Sequence, residues 1–412
     1  MGTRSAKRWP LYTFILLVVS LVVPSIFLLT FNSPAEANLN ANTDSFQVTY
    51  KASSIGVLRT HQSGAVAGGI AISGNQNIVY SWDLEGSTPA NFVAISDATT
   101  RGATDATNSL RFIPLSPRTD WGANANVTLT ISQNPATTTA ARLYGFHGWL
   151  PNISSNNSNT ALSSIPSYDT NVGLGEQLVE IKSFGNFSNL TSLRSAFSEA
   201  PSSFAITAQL PSTVRSLQES FQFSQYNSLA ITYWDVSRVT NFGRMFYYSH
   251  AFNQPIGTWN MSSATDLSGM FSTLSPTKMF FNQDISGWNV SNVTTFSAMF
   301  ATRGGIDFNQ PIGNWNTSSA TNLSRMFAGA NLFNQPINSW DVSRVTTFYE
   351  MFAPGGTPDS QLVYNGPSTI FNQPLSSWNT GQITDFSRMF VGNTQFNQTV
   401  SSWDTSRGAK FE

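Results

Sequence analysis

The chain of 412 residues contains no cysteine, which excludes disulfide frameworks, thiolate nucleophiles, thiolate zinc sites and a lipid-bearing N-terminal cysteine. Charge is scarce as well: Lys, Arg, Asp and Glu make up 10% of the residues and nearly balance at −1. Neither the phosphates of a nucleic acid nor an anionic membrane surface is therefore an expected partner. Histidine occurs three times, at His61, His147 and His250, with no H-E-x-x-H pattern and no carboxylate pair nearby. No glycine-rich phosphate loop precedes a lysine on a helix. This set predicts no catalytic residue, no cofactor and no metal site. Polarity comes from Ser, Thr and Asn instead, and Phe appears 31 times.

There is one long apolar run, over residues 11–31, preceded by Arg4, Lys7 and Arg8 and followed by Pro34-Ala35-Glu36-Ala37. The basic start, the apolar stretch and the small-x-small pair predict an export signal over residues 1–37, cleaved after Ala37. The run is also long enough to remain as an uncleaved signal-anchor, since about 20 apolar residues span a bilayer. Either way the remainder is expected outside the cytoplasm, secreted or at the cell surface. It would touch a membrane only through that segment.

Residues 38–154 hold short alternating segments such as FQVTY, NIVYSWDL and NVTLTIS, separated by Gly, Asn and Pro clusters. Alternation of this kind predicts a β-sandwich-like domain. A polar, low-complexity stretch follows, and residues 155–184 read as a connector.

From residue 185 to 412 the chain repeats. Trp234, Trp259, Trp288, Trp315, Trp340, Trp378 and Trp403 lie 25, 29, 27, 25, 38 and 25 residues apart. The distance from the Phe of each Phe-Asn-Gln to its Trp is always seven, and from Trp to the Met of Met-Phe always eleven. All variation falls between Met-Phe and the next Phe, from seven residues (Met326 to Phe333) to twenty (Met351 to Phe371). A fixed segment with one tolerant gap predicts a solenoid of about nine coils whose insertions share a corner. Residues 353–370 form the longest insertion, and Ala353, Asp359, Tyr364 and Ile370 are its candidate binding residues. The chain stops inside a further repeat, which reads as a truncated frame or a missing downstream segment.

Within a coil, Trp315 and the closing Phe246, Phe271, Phe300, Phe327, Phe352 and Phe390 are expected to face inward, with the Trp residues stacked in a ladder. Ile312-x-x-Trp315-x-Thr317 has leucine-rich-repeat spacing, which predicts one short strand per coil. Ala320, Leu323 and Phe327 share one helical face, which predicts a short helix or helical turn. The fold expected is thus mainly β with short helices. Asn and Gln at fixed places beside a core must find partners, so Asn309 is expected to bond to Asn282 and Asn334 in an amide ladder. Asp and Asn alternate after Trp, as at Asp235, Asn316, Asp341 and Asp404, which points to a turn hydrogen bond that needs no charge.

The copy FNQDISGWNVSNVTTFSAMF, residues 281–300, resembles the repeat of the BspA-like leucine-rich repeat surface proteins, FNQ-x-I-x-x-W-x-V-S-x-V-T-x-M-x-x-M-F. LPSTVRSLQESF, residues 210–221, is similar to another form in that superfamily. The resemblance implies export, display on the cell surface and binding of host proteins or other cells. It also implies an Ig-like or PKD-like sandwich ahead of the repeats, to which SWDLEG and GFHGWLPNIS are similar. The expected function is a non-enzymatic binding or adhesion scaffold for an extracellular protein or glycan. A purely structural stalk or envelope component, and a glycan or peptide hydrolase with its site in the N-terminal domain, are the alternatives.

Overall fold

Segments that alternate β-branched or aromatic residues with polar ones suit a pleated strand, and the chain forms strands at each of the three quoted above. The computed structural model describes residues 45–51, 69–73, 78–84, 93–94, 110–114, 126–133, 142–145, 178–185, 190–356 and 364–411. All of them belong to one compact unit, Asn40–Glu412. The predicted leader with Ala37, and Asp359 in the long insertion, lie outside the described residues.

The strands are β1 (Ser45–Lys51), β2 (Gly69–Ser73), β3 (Ile78–Leu84), β4 (Val93–Ala94), β5 (Leu110–Pro114), β6 (Asn126–Gln133), β7 (Arg142–Gly145), β8 (Leu178–Phe184) and β9 (Ala205–Ile206). They form a six-stranded sheet in the order β4-β3-β6-β1-β8-β9 and a three-stranded sheet, β5-β2-β7. β1 lies antiparallel between β6 and β8. β8 occupies the end of the stretch read as a connector. Its other edge pairs in parallel with β9, and the Thr207 N–H extends that pairing to the Ile181 carbonyl at 3.0 Å. Leu178, Ile181 and Phe184 are buried, and the Phe184 ring lies 6.3 Å from Phe197 and 6.2 Å from Trp234. β8 therefore joins the sheet to the first repeats.

Beyond β9 each repeat stacks on the last. Single parallel bridges run from Ser192 through Ser216, Asn241, Asp266, Thr295, Asn322, Thr347 and Asp385 to Lys410. Around each bridge, hydrogen bonds alternate between coils and turns. The N–H groups of Arg325, Phe327 and Gly329 donate to Tyr349, Met351 and Ala353 of the next coil at 2.7, 3.0 and 2.9 Å, while those of Met326, Ala328 and Ala330 donate three residues back at 3.2, 3.0 and 2.9 Å. This alternation places the residue before each Met-Phe in the left-handed region, as at Arg244 (φ 55), Ala298 (φ 55), Arg325 (φ 57), Glu350 (φ 52) and Arg388 (φ 57).

Two local expectations are corrected here. No α-helix occurs among the described residues; the one helical element is a 3-10 turn, Leu229–Tyr233. A left-handed residue at Arg325 ends any right-handed helix, and every second N–H leaves for the neighbouring coil. The strand expected from Ile312 to Thr317 is also absent: the Trp315 N–H closes a turn on the Ile312 carbonyl at 3.2 Å, and the parallel pairing falls at Asn322 instead.

The core is an aromatic zipper. Closing and opening Phe rings interleave, with Phe300 to Phe308 at 4.1 Å, Phe327 to Phe333 at 4.0 Å and Phe352 to Phe371 at 4.1 Å, all close to parallel. Trp288, Trp315 and Trp340 stack beside them at 6.4 and 6.3 Å. Phe246, Phe271, Phe300, Phe327 and Phe352 are fully buried, as are Trp234, Trp259, Trp288, Trp315, Trp340 and Trp378, whereas Phe390 and Trp403 are partly exposed. Each fully buried ring contributes about 1.5–3 kcal/mol before conformational entropy is subtracted. Each indole N–H also donates to the preceding coil, Trp315 to the Ile285 carbonyl at 3.2 Å and Trp340 to that of Ile312 at 3.0 Å.

The rim is polar and equally regular. Asn309 N–H and Gln310 Nε2 donate to Asn282 Oδ1 at 3.1 and 2.9 Å, and Asn334 N–H and Gln335 Nε2 donate to Asn309 Oδ1 at 3.0 Å each. The Thr265, Thr294, Thr321 and Thr346 hydroxyls each donate to the carbonyl of the preceding coil's threonine, at 3.2, 3.1, 3.0 and 3.1 Å.

Candidate functional site

The corner after Met-Phe is where coils differ. A short gap turns there on a second left-handed residue, Gly329 (φ 70) or Gly392 (φ 65). Longer gaps build on one another: Thr273 bridges Thr302 and Met279 bridges Ile306, both in parallel. The described ends of the insertion, residues 353–356 and 364–370, lie against that layer. A β-carbon on Gly355 would meet the Thr302 carbonyl oxygen at 2.2 Å, and one on Gly366 would meet that of Arg303 at 2.5 Å. Only glycine permits so close an approach of two backbones. The insertion closes on itself through Gly355 N–H to Pro367 O at 3.0 Å, and Thr369 Oγ1 donates to Phe352 O at 2.7 Å.

Of the residues singled out in this insertion, Ala353 is fully buried, so it supports the corner and is closed to a ligand. Ile370 is 42% exposed. Tyr364 is half-buried, and its hydroxyl donates to Glu350 Oε1 at 2.9 Å. Glu350 is fully buried beneath it. Arg325 Nε stands 3.3 Å from Oε2 without the angle of a hydrogen bond, and Arg388 Nη1 stands 3.7 Å from Oε1. A buried carboxylate costs several kcal/mol unless paired, and the guanidinium groups of Arg325 and Arg388 and the phenols of Tyr364 and Tyr349 share the task here. Burial first, and then the Glu350 carboxylate, hold the Tyr364 hydroxyl well above the ordinary tyrosine range. Arg325 also donates to the Gly356 carbonyl, which ties the insertion's first turn to the same cluster.

The sequence reading missed this cluster, although a signal exists. The position two before each closing Phe reads Glu219, Arg244, Gly269, Ala298, Arg325, Glu350, Arg388 down the stack, and charges one coil apart become neighbours. A second cluster at the other end pairs Glu219 with Arg194 at 3.0 Å and with Arg244 at 3.7 Å.

On another face, an open groove of about 930 Å³ runs past Gly313, Asn314, Asn338, Ser339, Ser377 and Asn379. Its polar groups already serve one another: Asn338 Nδ2 donates to Ser377 Oγ and the Ser377 N–H to Asn338 Oδ1, both at 2.9 Å. Among the described residues no group of three or more His, Asp or Glu could hold a metal ion. His250 is half-buried, and desolvation lowers its pKa; His61 and His147 lie outside the described residues.

Stacked copies of one short unit, varied at a single corner, define a repeat protein. The family described as Mycoplasma protein of unknown function, DUF285, matches three times, over residues 191–303, 275–365 and 359–412. Together these matches span more than half of the chain, which belongs to that family. No curated protein and no solved structure matches it.

Proposed function

We propose that this chain is an exported, surface-displayed scaffold that binds an extracellular protein or glycan without catalysing a reaction. Its repeats form a leucine-rich-repeat-like solenoid of the BspA-like kind, with a sandwich-like domain ahead of them. The observation that carries the binding role is the insertion over residues 353–370. It is held by Glu350, by the Thr302-Arg303 backbone and by its own turn. Its described ends, residues 353–356 and 364–370, are held in place and lose little conformational entropy on contact with a partner, a condition that favours affinity from many weak polar contacts. A stalk that only spaces another module has no use for such an anchored insertion.

The test is adhesion of the exported chain, residues 38–412, to intact cells and to extracellular-matrix glycoproteins. Replacing residues 357–363 by a Gly-Ser run of equal length should reduce adhesion about tenfold, the loss of one modest contact set. Unchanged adhesion would reject the role given to the insertion. Antibody labelling of intact against permeabilised cells reads the export step separately.

A further inference from the structure

The same corner, four and five coils earlier, carries aromatic rings where later coils carry glycine. Phe223 and Tyr248 stand two residues after their closing Phe, in the left-handed region at φ 56 and φ 59. Gly329 and Gly392 fill the equivalent place at φ 70 and φ 65. For a bulky side chain that backbone is strained, and glycine adopts it freely. Glu199 holds the same place one coil before Phe223 at φ 61, so bonding to the next coil imposes the conformation, and what sets Phe223 and Tyr248 apart is that both side chains are aromatic and meet.

The rings form one platform. Phe223 is 44% exposed and lies 4.8 Å from Tyr248 and 5.8 Å from Tyr247, with the two tyrosines edge to face at 4.6 Å. His250 borders Tyr248 at 6.0 Å, and the Arg244 guanidinium lies 5.6 Å over the Tyr247 ring. Arg244 is also paired with Glu219, so the platform has no uncommitted cation to attract an anion.

Size decides what such a surface can hold. Each ring carries ~150–250 Å² and is half or more buried, so three rings offer on the order of 200–300 Å². A standard protein interface needs ~800 Å² on each side, whereas one or two sugar rings fit the smaller area. Partly exposed rings that carry two phenol groups suit the apolar C–H face and the hydroxyl edge of a pyranose. We infer that Phe223, Tyr247 and Tyr248 form a binding site for a neutral glycan. This site is separate from the insertion over residues 353–370.

Saturation-transfer NMR of the chain spanning residues 38–412 with lactose, cellobiose and N,N′-diacetylchitobiose tests it. At least one should show transfer to its ring protons. Phe223→Gly and Tyr248→Gly together should weaken binding about tenfold, the factor for losing stacked rings, with no fall in the thermal midpoint because glycine suits both positions. Replacing residues 357–363 should leave the sugar signal unchanged, so this reading and the adhesion reading fail separately. Absence of transfer from all three sugars, or transfer that survives the double substitution, would overturn the site. So would a lowered midpoint, which would make the rings packing residues, or a preference for sialyllactose over lactose.

Discussion

The corner is built twice around a glutamate between two arginines, and the two versions differ in what covers them. At the N-terminal end Glu219 is buried, but Arg194 and Arg244 have side chains 30% and 60% exposed. Toward the C-terminal end Glu350 is wholly buried and its partners Arg325 and Arg388 are 24% and 19% exposed. The added cover is the long insertion, with Tyr364 directly over the carboxylate. The same residue types thus form a buried carboxylate with solvent-facing arginines in one place and the covered anchor of an inserted loop in the other. Water decides which: an exposed pair contributes at most ~1 kcal/mol, whereas removing one partner of a buried pair costs ~3–5 kcal/mol.

The largest expected effect follows from that contrast. Glu350→Ala leaves two partly buried guanidinium groups facing each other and takes the acceptor from Tyr364. It should lower the unfolding free energy by about 3 kcal/mol in a denaturant titration. Tyr364→Phe removes one charge-assisted hydrogen bond and should cost about 1.5 kcal/mol, with faster proteolysis inside the insertion. Glu219→Ala should cost at most about 1 kcal/mol, because solvent screens its partners. Equal losses at Glu219 and Glu350 would break the comparison and remove the insertion's cover as the explanation.

Much of the stack was legible because like residues recur at like positions. The seven- and eleven-residue intervals located the fixed part of a coil, and polar amides beside a core demanded partners, which Asn282, Asn309 and Asn334 supply to one another. The line of parallel pairing was not legible. It passes through Ser192, Asn241, Asp266, Thr295 and Lys410, which share no apolar or β-branched signature, so the apolar spacing around Trp315 drew the expected strand seven residues too early. The left-handed residue two places before each closing Phe was hidden for a like reason. Ser195, Glu219, Arg244, Gly269 and Ala298 all adopt it, since bonding to the next coil imposes the conformation whatever the side chain. β8 escaped notice because its partner β1 lies more than a hundred residues earlier, beyond the reach of local pattern. Pairing at that distance is set by tertiary packing.

A third carboxylate marks the weak end of the series. Asp341 Oδ1 accepts the Ser343 N–H at 2.9 Å in an exposed turn. Asn316 does the same for the Ser318 N–H at 3.1 Å in the coil before. The Ser343 side chain first, and then its N–H, hold the Asp341 carboxyl below its ordinary value. A folded pKa below the unfolded one gives stability that is present above the unfolded pKa, about 3.9 for aspartate, and lost as pH falls through the folded value. Asp341→Asn keeps the acceptor and removes the titration. Stability near neutral pH should therefore shift by no more than about 0.5 kcal/mol, and the variant should lose less than the parent between about pH 4 and pH 2. A larger loss at neutral pH would mean that Asp341 has a partner whose charge matters, and would move it from the turn-forming residues into the company of Glu219.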